Sequence, residues 1–291
     1  MSRPIGIFDS GLGGLTVVRA IRRRLPDESI VYFGDTARVP YGIKSGQTIA
    51  RFAAEDCQFL CRFDPKFIVV ACNTASAAAI PSLQQRFPQP IMGVIEPGAR
   101  AAVRQSRGRP IGVIGTEATI ASGAYRRAIQ REMPGAWLVE KACPLLVPLV
   151  EEGRPPRDRV VRAVLEEYLT PLREAGVGSI VLGCTHYPLL KDDIAEVVGP
   201  DVVLVDSAEA VAAEVARRLQ AERMAALPGR SQMRFFVSDN PDRFCQVGCR
   251  FLGEEIGTVS LVPPEDFFFG PTLARPGGPP REAPGHAEDA P

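Results

Sequence analysis

Short apolar runs rich in isoleucine and valine recur along the chain, and the stretches between them carry their apolar positions at helical spacing. The runs at 5–8, 30–33, 68–71, 91–95, 111–114, 180–183, 202–205, 233–237 and 258–262 are mostly apolar throughout, the pattern of strands covered on both faces in a parallel sheet. The intervening stretches predict a helix at 17–25 stopped by Pro26 and one at 45–61 with an apolar face through Ile49, Phe52, Ala53, Cys57 and Leu60. A further helix is expected at 75–86, with Pro81 in an early turn, and others running to Gln130 and at 157–173, 208–223 and 241–252. Glu96-Pro97-Gly98 reads as a turn marking passage into a second unit. Strands alternating with helices predict an α/β fold.

The pattern repeats itself. Ile68-Val69-Val70-Ala71-Cys72-Asn73-Thr74 matches Ile180-Val181-Leu182-Gly183-Cys184-Thr185-His186, and Ile5-Gly6-Ile7-Phe8-Asp9-Ser10 matches Ile111-Gly112-Val113-Ile114-Gly115-Thr116. Gly6 precedes Cys72 by 66 residues and Gly112 precedes Cys184 by 72. This duplication predicts two similar α/β domains related by a pseudo-two-fold axis, with mainly parallel sheets and an active site in the cleft between them. The expected boundaries are 1–97 plus 208–270 for the first domain and 98–207 for the second. The remainder, 271–291, is rich in Pro, Gly and charge and is expected to be disordered. Parallel sheets place ligands beyond the carboxyl ends of their strands, where each half has a thiol.

Composition narrows the chemistry. A chain of 291 residues with 45% hydrophobic content can build two cores, and 34 basic residues against 34 acidic ones leave no electrostatic footprint for nucleic acid. No apolar run is long enough to span a bilayer and no signal peptide is evident, so a cytoplasmic location without membrane association is expected. The seven cysteines are then expected to be reduced. Cys245 and Cys249 repeat the four-residue spacing that begins at Cys57 and raise a four-thiol zinc site, but the usual knuckle spacing is missing and packing is the expected role. The four lysines, Lys44, Lys66, Lys141 and Lys191, stand in no cofactor motif, and no metal or cofactor is implied.

A cysteine at a strand's carboxyl end beside a helix N-terminus is expected to have a lowered pKa and to act as base or nucleophile. Two such cysteines facing one ligand suit proton exchange from opposite sides, which inverts a stereocentre. The glycine-rich turn Asp9-Ser10-Gly11-Leu12-Gly13-Gly14 either cradles an anion or is only a tight turn. Asp9, at a strand end, needs a cation such as a substrate ammonium. His186 is either a proton relay for Cys184 or a structural imidazole. Thr116 and Thr119 either bind a carboxylate or cap a helix, and one of Glu151 and Glu152 turns into the cleft or both flank a helix in solvent.

Asp9-Ser10-Gly11-Leu12-Gly13-Gly14, Pro40-Tyr41-Gly42, Cys72-Asn73-Thr74 and Gly183-Cys184-Thr185-His186-Tyr187-Pro188 resemble the motifs of the glutamate racemases, in the aspartate/glutamate racemase superfamily. The resemblance spans roughly 4–270. It implies cofactor-independent interconversion of L- and D-glutamate, supplying D-glutamate for peptidoglycan, by a homodimer. By position, Cys72 resembles the base acting on D-glutamate and Cys184 the one acting on L-glutamate, with Asp9 and His186 assisting their neighbouring thiols. The same resemblance assigns substrate binding to Asp9, Ser10, Tyr41, Gly42, Asn73, Thr74, Thr116, Thr119, Glu151, Thr185 and His186. Aspartate racemisation, single-cysteine hydrolysis or decarboxylation, and amino-acid binding without catalysis are the competing readings.

Overall fold

The computed structural model describes residues 3–229 and 231–263; the expected disordered segment 271–291 lies outside the described residues. The chain begins with β1 (Ile5–Asp9), α1 (Leu15–Arg24), β2 (Ile30–Gly34), α2 (Gly46–Cys61), β3 (Phe67–Val70), α3 (Asn73–Arg86) and β4 (Ile91–Gly93). It continues through α4 (Ile95–Ser106), β5 (Ile111–Gly115), α5 (Glu117–Ala121), α6 (Ala124–Glu132), β6 (Leu138–Ala142), α7 (Leu146–Glu152) and α8 (Arg159–Glu174). The last part holds β7 (Ser179–Gly183), α9 (Lys191–Val198), β8 (Val203–Asp206), α10 (Ser207–Ala221), β9 (Met233–Val237), α11 (Pro241–Leu252) and β10 (Val259–Leu261).

These strands form two all-parallel sheets, one ordered β10-β9-β2-β1-β3-β4 and the other β6-β5-β7-β8. The order β2-β1-β3-β4 of the first is reproduced by β6-β5-β7-β8 in the second, so the repeat read from the residues is a repeat of topology. The chain leaves the first sheet after β4, completes the second, and returns to add β9 and β10 beside β2. That return brings α11 back to the first sheet, a placement that matters below.

Alternate residues of the first sheet face opposite ways. Ile7, Tyr32 and Val69 belong to a core shared with α1, α10 and α11, whereas Phe8, Phe33, Ile68 and Val70 pack with α2 and α3. The first of these cores runs on without interruption into Ile111, Val113, Val181 and Leu182 of the second sheet. Helices α1 and α4, each packed on α10, form with it the apolar bridge between the two sheets. No helix among the described residues is long and apolar enough to cross a membrane.

Several expected elements differ in detail. Pro81 sits in the middle of α3, not in an early turn. Glu96-Pro97-Gly98 is not a turn but the start of α4, where Pro is tolerated because the first N–H groups of a helix have no partner within it. The helix expected to run to Gln130 is broken into α5 and α6 at Gly123, whose φ of +62° is left-handed. Strand β6 and helix α9 were not legible: β6 reads Leu-Val-Glu-Lys-Ala, and only its second-sheet neighbour β5 makes it a strand. Cys57 is in the core, but Cys245 and Cys249 lie half-buried at the flank of α11, whose apolar face is Phe244, Val247, Phe251 and Leu252.

Candidate active site

A cavity of about 190 Å³ opens between the carboxyl ends of the two sheets. Cys72 and Cys184 both line it, each one residue or two past an equivalent strand, β3 and β7. Of the other residues singled out in the sequence, Ser10, Tyr41, Gly42, Asn73, Thr74, Thr116, Glu151, Thr185 and His186 line the same cavity. Asp9 and Thr119 do not reach the lining and sit one layer behind it. The loop 34–42, whose turn-rich sequence suits a cleft wall, contributes Val39 and Pro40 to the lining; the apolar Ile43, Pro144, Val147 and Pro148 were missed, and the proline pair flanking the run 145–147 was the available signal.

The two thiols are held differently. Cys72 is the N-cap of α3, and its Sγ accepts the Ala75 N–H at 3.4 Å and lies 3.6 Å from Ser10 Oγ. Helix N-termini favour a thiolate, yet burial, with the Asp9 charge adding to it, pushes Cys72 up to about 12 against the opposing Ala75 and Ser10 contacts. The lowered pKa expected for this cysteine is therefore overturned: its low-dielectric surroundings outweigh the helix terminus, and it rests as a thiol. Cys184 has no α-helix directly behind it, because Tyr187–Leu190 forms a single 3-10 turn. His186 takes that place, with Nδ1 3.8 Å from Cys184 Sγ and Nε2 3.1 Å from Glu151 Oε1.

Burial works against charge on His186, but the hydrogen bonds to Cys184 and Glu151 overcome it and raise the imidazole to about 10. Glu151 is held below the usual carboxylate range, first by the His186 hydrogen bond and also by Arg243, despite its own partial burial. Glu151 is thus the member of the acidic pair that faces the cleft, while Glu152 pairs with Arg154 at 2.8 Å in solvent. Asp9 accepts the Gly11 N–H at 3.0 Å through Oδ2, whereas its buried Oδ1 has no hydrogen-bond partner among the described residues. Burial raises the Asp9 carboxyl, offset in part by the nearby His186 charge.

Hydroxyls from both halves converge at the cavity. Thr74 Oγ1 lies 2.9 Å from Thr116 Oγ1 and 3.1 Å from Thr119 Oγ1, and the last two are 2.9 Å apart. Thr116 also caps α5 through the Thr119 N–H at 3.3 Å, so capping and cleft lining are the same side chain's work. Asn73 Oδ1 accepts the Tyr125 hydroxyl at 2.7 Å, and its buried Nδ2 has no partner among the described residues. The Tyr41 hydroxyl turns away from the cavity to Asp35 and Asp56, both also held by Arg38. Tyr41 therefore anchors the loop that carries Pro40 and Gly42 to the cavity wall. Gly13 fits only without a side chain, since a Cβ there would stand 2.3 Å from Thr185 Oγ1 and 2.6 Å from His186.

Such a site can move protons at one carbon from two sides and can bind a zwitterion through facing donors and acceptors. Known proteins resemble this chain over most of its length. Residues 14–215 match the family model described as Asp/Glu/Hydantoin racemase. The glutamate racemase of Geobacter metallireducens is 52% identical over 261 residues, covering 89% of this chain and 96% of that protein. Among solved structures, glutamate racemase RacE1 from Bacillus anthracis superposes with a TM-score of 0.86 at 40% identity, covering 89% of this chain and 97% of that one. Glutamate racemase from Francisella tularensis in complex with D-glutamate gives 0.84 at 38% identity, covering 90% and 97%. The chain belongs to the Asp/Glu/hydantoin racemase family.

Proposed function

We propose that this racemase interconverts L- and D-glutamate by two-base proton exchange between Cys72 and Cys184. The observation that carries the reading is that both thiols line one cavity from equivalent strand ends, so a substrate α-carbon between them presents one face to each. The choice of glutamate is supported by relatives about half identical over nearly their whole length. In the L-to-D direction a thiolate at Cys184 takes the α-proton, and the electron pair left behind delocalises into the α-carboxylate. The Cys72 thiol then gives its proton to the opposite face and becomes the thiolate. The D-to-L direction runs the same steps in reverse, so protons and charge balance.

The surroundings suit those roles. Burial and Asp9 keep a proton on Cys72, ready to be donated, and cationic His186 offers its Nδ1–H to Cys184. Asn73 Nδ2, with no partner among the described residues, is matched to a substrate carboxylate, as are the threonine hydroxyls. Asp9 acts from behind Ser10, on the thiol and on the field felt by a substrate ammonium. D-glutamate formed in this way would feed peptidoglycan synthesis.

The test is incubation of the pure protein with L-glutamate in D₂O, following optical rotation and α-deuterium, beside Cys72→Ser and Cys184→Ser. Loss of rotation with α-deuteration, abolished in both variants, is expected. Exchange of aspartate but not glutamate would move the substrate, and activity surviving loss of one thiol would overturn the two-base mechanism.

A further inference from the structure

Helix α11 belongs to the returning segment beside the first sheet, yet three of its side chains grip the second sheet's half of the site. Arg250 donates to the carbonyls of Val150 at 3.2 Å and Glu151 at 2.8 Å in the last turn of α7, where the Val150 carbonyl also accepts the Gly153 N–H at 3.0 Å. Arg243 lies seven residues earlier, two helical turns along the same face, and pairs with Glu151 Oε2 at 3.1 Å. Phe251 packs edge-to-face on the His186 ring, with centroids 5.1 Å apart. Gly153, which ends α7 at a φ of +73°, leaves room for this contact, because a Cβ there would stand 2.2 Å from the Arg250 guanidinium.

One carboxylate is therefore held from both sides: His186 on Oε1, Arg243 on Oε2, and Arg250 on its own backbone. We propose that α11 is the positioning element of the Glu151–His186 pair, with Arg250 and Arg243 fixing Glu151 from the opposite half of the molecule so that the imidazole stays aimed at Cys184. The importance of that aim for catalysis rests on the two-thiol reading above; the grip itself does not. Other groups facing His186 are the thiol of Cys184, the Thr185 hydroxyl and the Asp9 carboxyl, and none of them comes from α11.

The sign of one measurement separates positioning from simple proximity. An arginine that acted only as a nearby cation would repel the imidazolium, so its removal would raise the His186 titration midpoint. An arginine that holds Glu151 in place would, when removed, free the carboxylate from Nε2, and the midpoint would fall. The chain has two histidines, His186 and His286, so a ¹³C-histidine NMR titration of the full-length protein resolves them, with His186→Gln giving the assignment. In Arg250→Met and in Arg243→Met/Arg250→Met the midpoint should fall by at least about one unit, a tenfold change in proton affinity, and the lysine replacements should restore most of it. The alkaline limb of glutamate α-proton exchange should move down with it.

A midpoint that stays or rises in the double variant overturns the proposal. Absence of any glutamate exchange in the unsubstituted protein would sink the functional reading while leaving the titration to decide the role of α11. Arg243 is more than half exposed and Arg250 is exposed, so these variants are expected to fold.

Discussion

Gly42→Ala tests the claim that the two halves must close to within a fraction of an ångström. Gly42 is carried by the first half, and a Cβ there would stand 2.8 Å from Thr116 Cβ, 3.0 Å from its Cγ2 and 3.3 Å from its Oγ1, all in the second half. Carbon atoms rest at about 3.5–4.0 Å, so the walls must part by roughly 0.7–1 Å. Thr116 cannot swing aside, since its Cβ moves only with the backbone and its hydroxyl is engaged by Thr74, Thr119 and the Thr119 N–H. On the proposed two-thiol mechanism, both cysteines lose their reach to the substrate carbon when the cleft widens. A misplacement of ~1 Å at reacting groups costs on the order of 10²-fold, equivalent to about 2.7 kcal/mol of barrier. Glutamate racemisation followed by circular dichroism should show kcat/KM down by that factor, equally in both directions because the enantiomers have equal free energies. Gly46→Ala, close by at the start of α2 with nothing within 4 Å of the new methyl, should be unaffected. A Gly42→Ala protein within threefold of the parent would refute the reasoning.

Two further outcomes follow from the buried polar groups. Tyr41→Phe removes the hydroxyl shared by Asp35 and Asp56, and leaving those buried acceptors short of a donor should cost about 1–3 kcal/mol in urea unfolding and loosen the Pro40–Gly42 wall, seen as a raised KM; unchanged stability would show that Arg38, with Ser238 on Asp35, satisfies both acids. The folded chain holds the His186 proton more tightly than the unfolded chain, at about 10 against 6.5, so the stabilisation is complete below 6.5 and is lost as pH rises through 10. Its size is about 3–5 kcal/mol, and His186→Gln should remove this slope from a pH series of urea midpoints; an identical slope in the variant would count against a cationic His186.

Much of the site was legible before any coordinates, for a definite reason. A strand buried on both faces of a parallel sheet must be an uninterrupted apolar run, so Cys72 and Cys184, standing just beyond such runs, were marked as strand-end thiols by pattern alone. The duplicated spacing carried the two-half architecture for the same reason, since similar runs at similar intervals build similar sheets. What the pattern could not carry was anything set by contacts between distant segments. The raised proton affinity of Cys72 depends on how deeply it is buried beside Asp9, which reversed the expectation drawn from its helix N-terminus. The choice of Glu151 over Glu152 was made by how α7 is set against the cleft, since neighbours on a helix point about 100° apart and one is aimed at His186, the other at solvent. The grip of α11 on that carboxylate joins residues about 90 to 100 apart, and only the return of the chain to the first sheet brings them together. Local sequence writes periodicity, and periodicity determines strands, helices and their ends; charge state and aim belong to neighbours that folding alone selects.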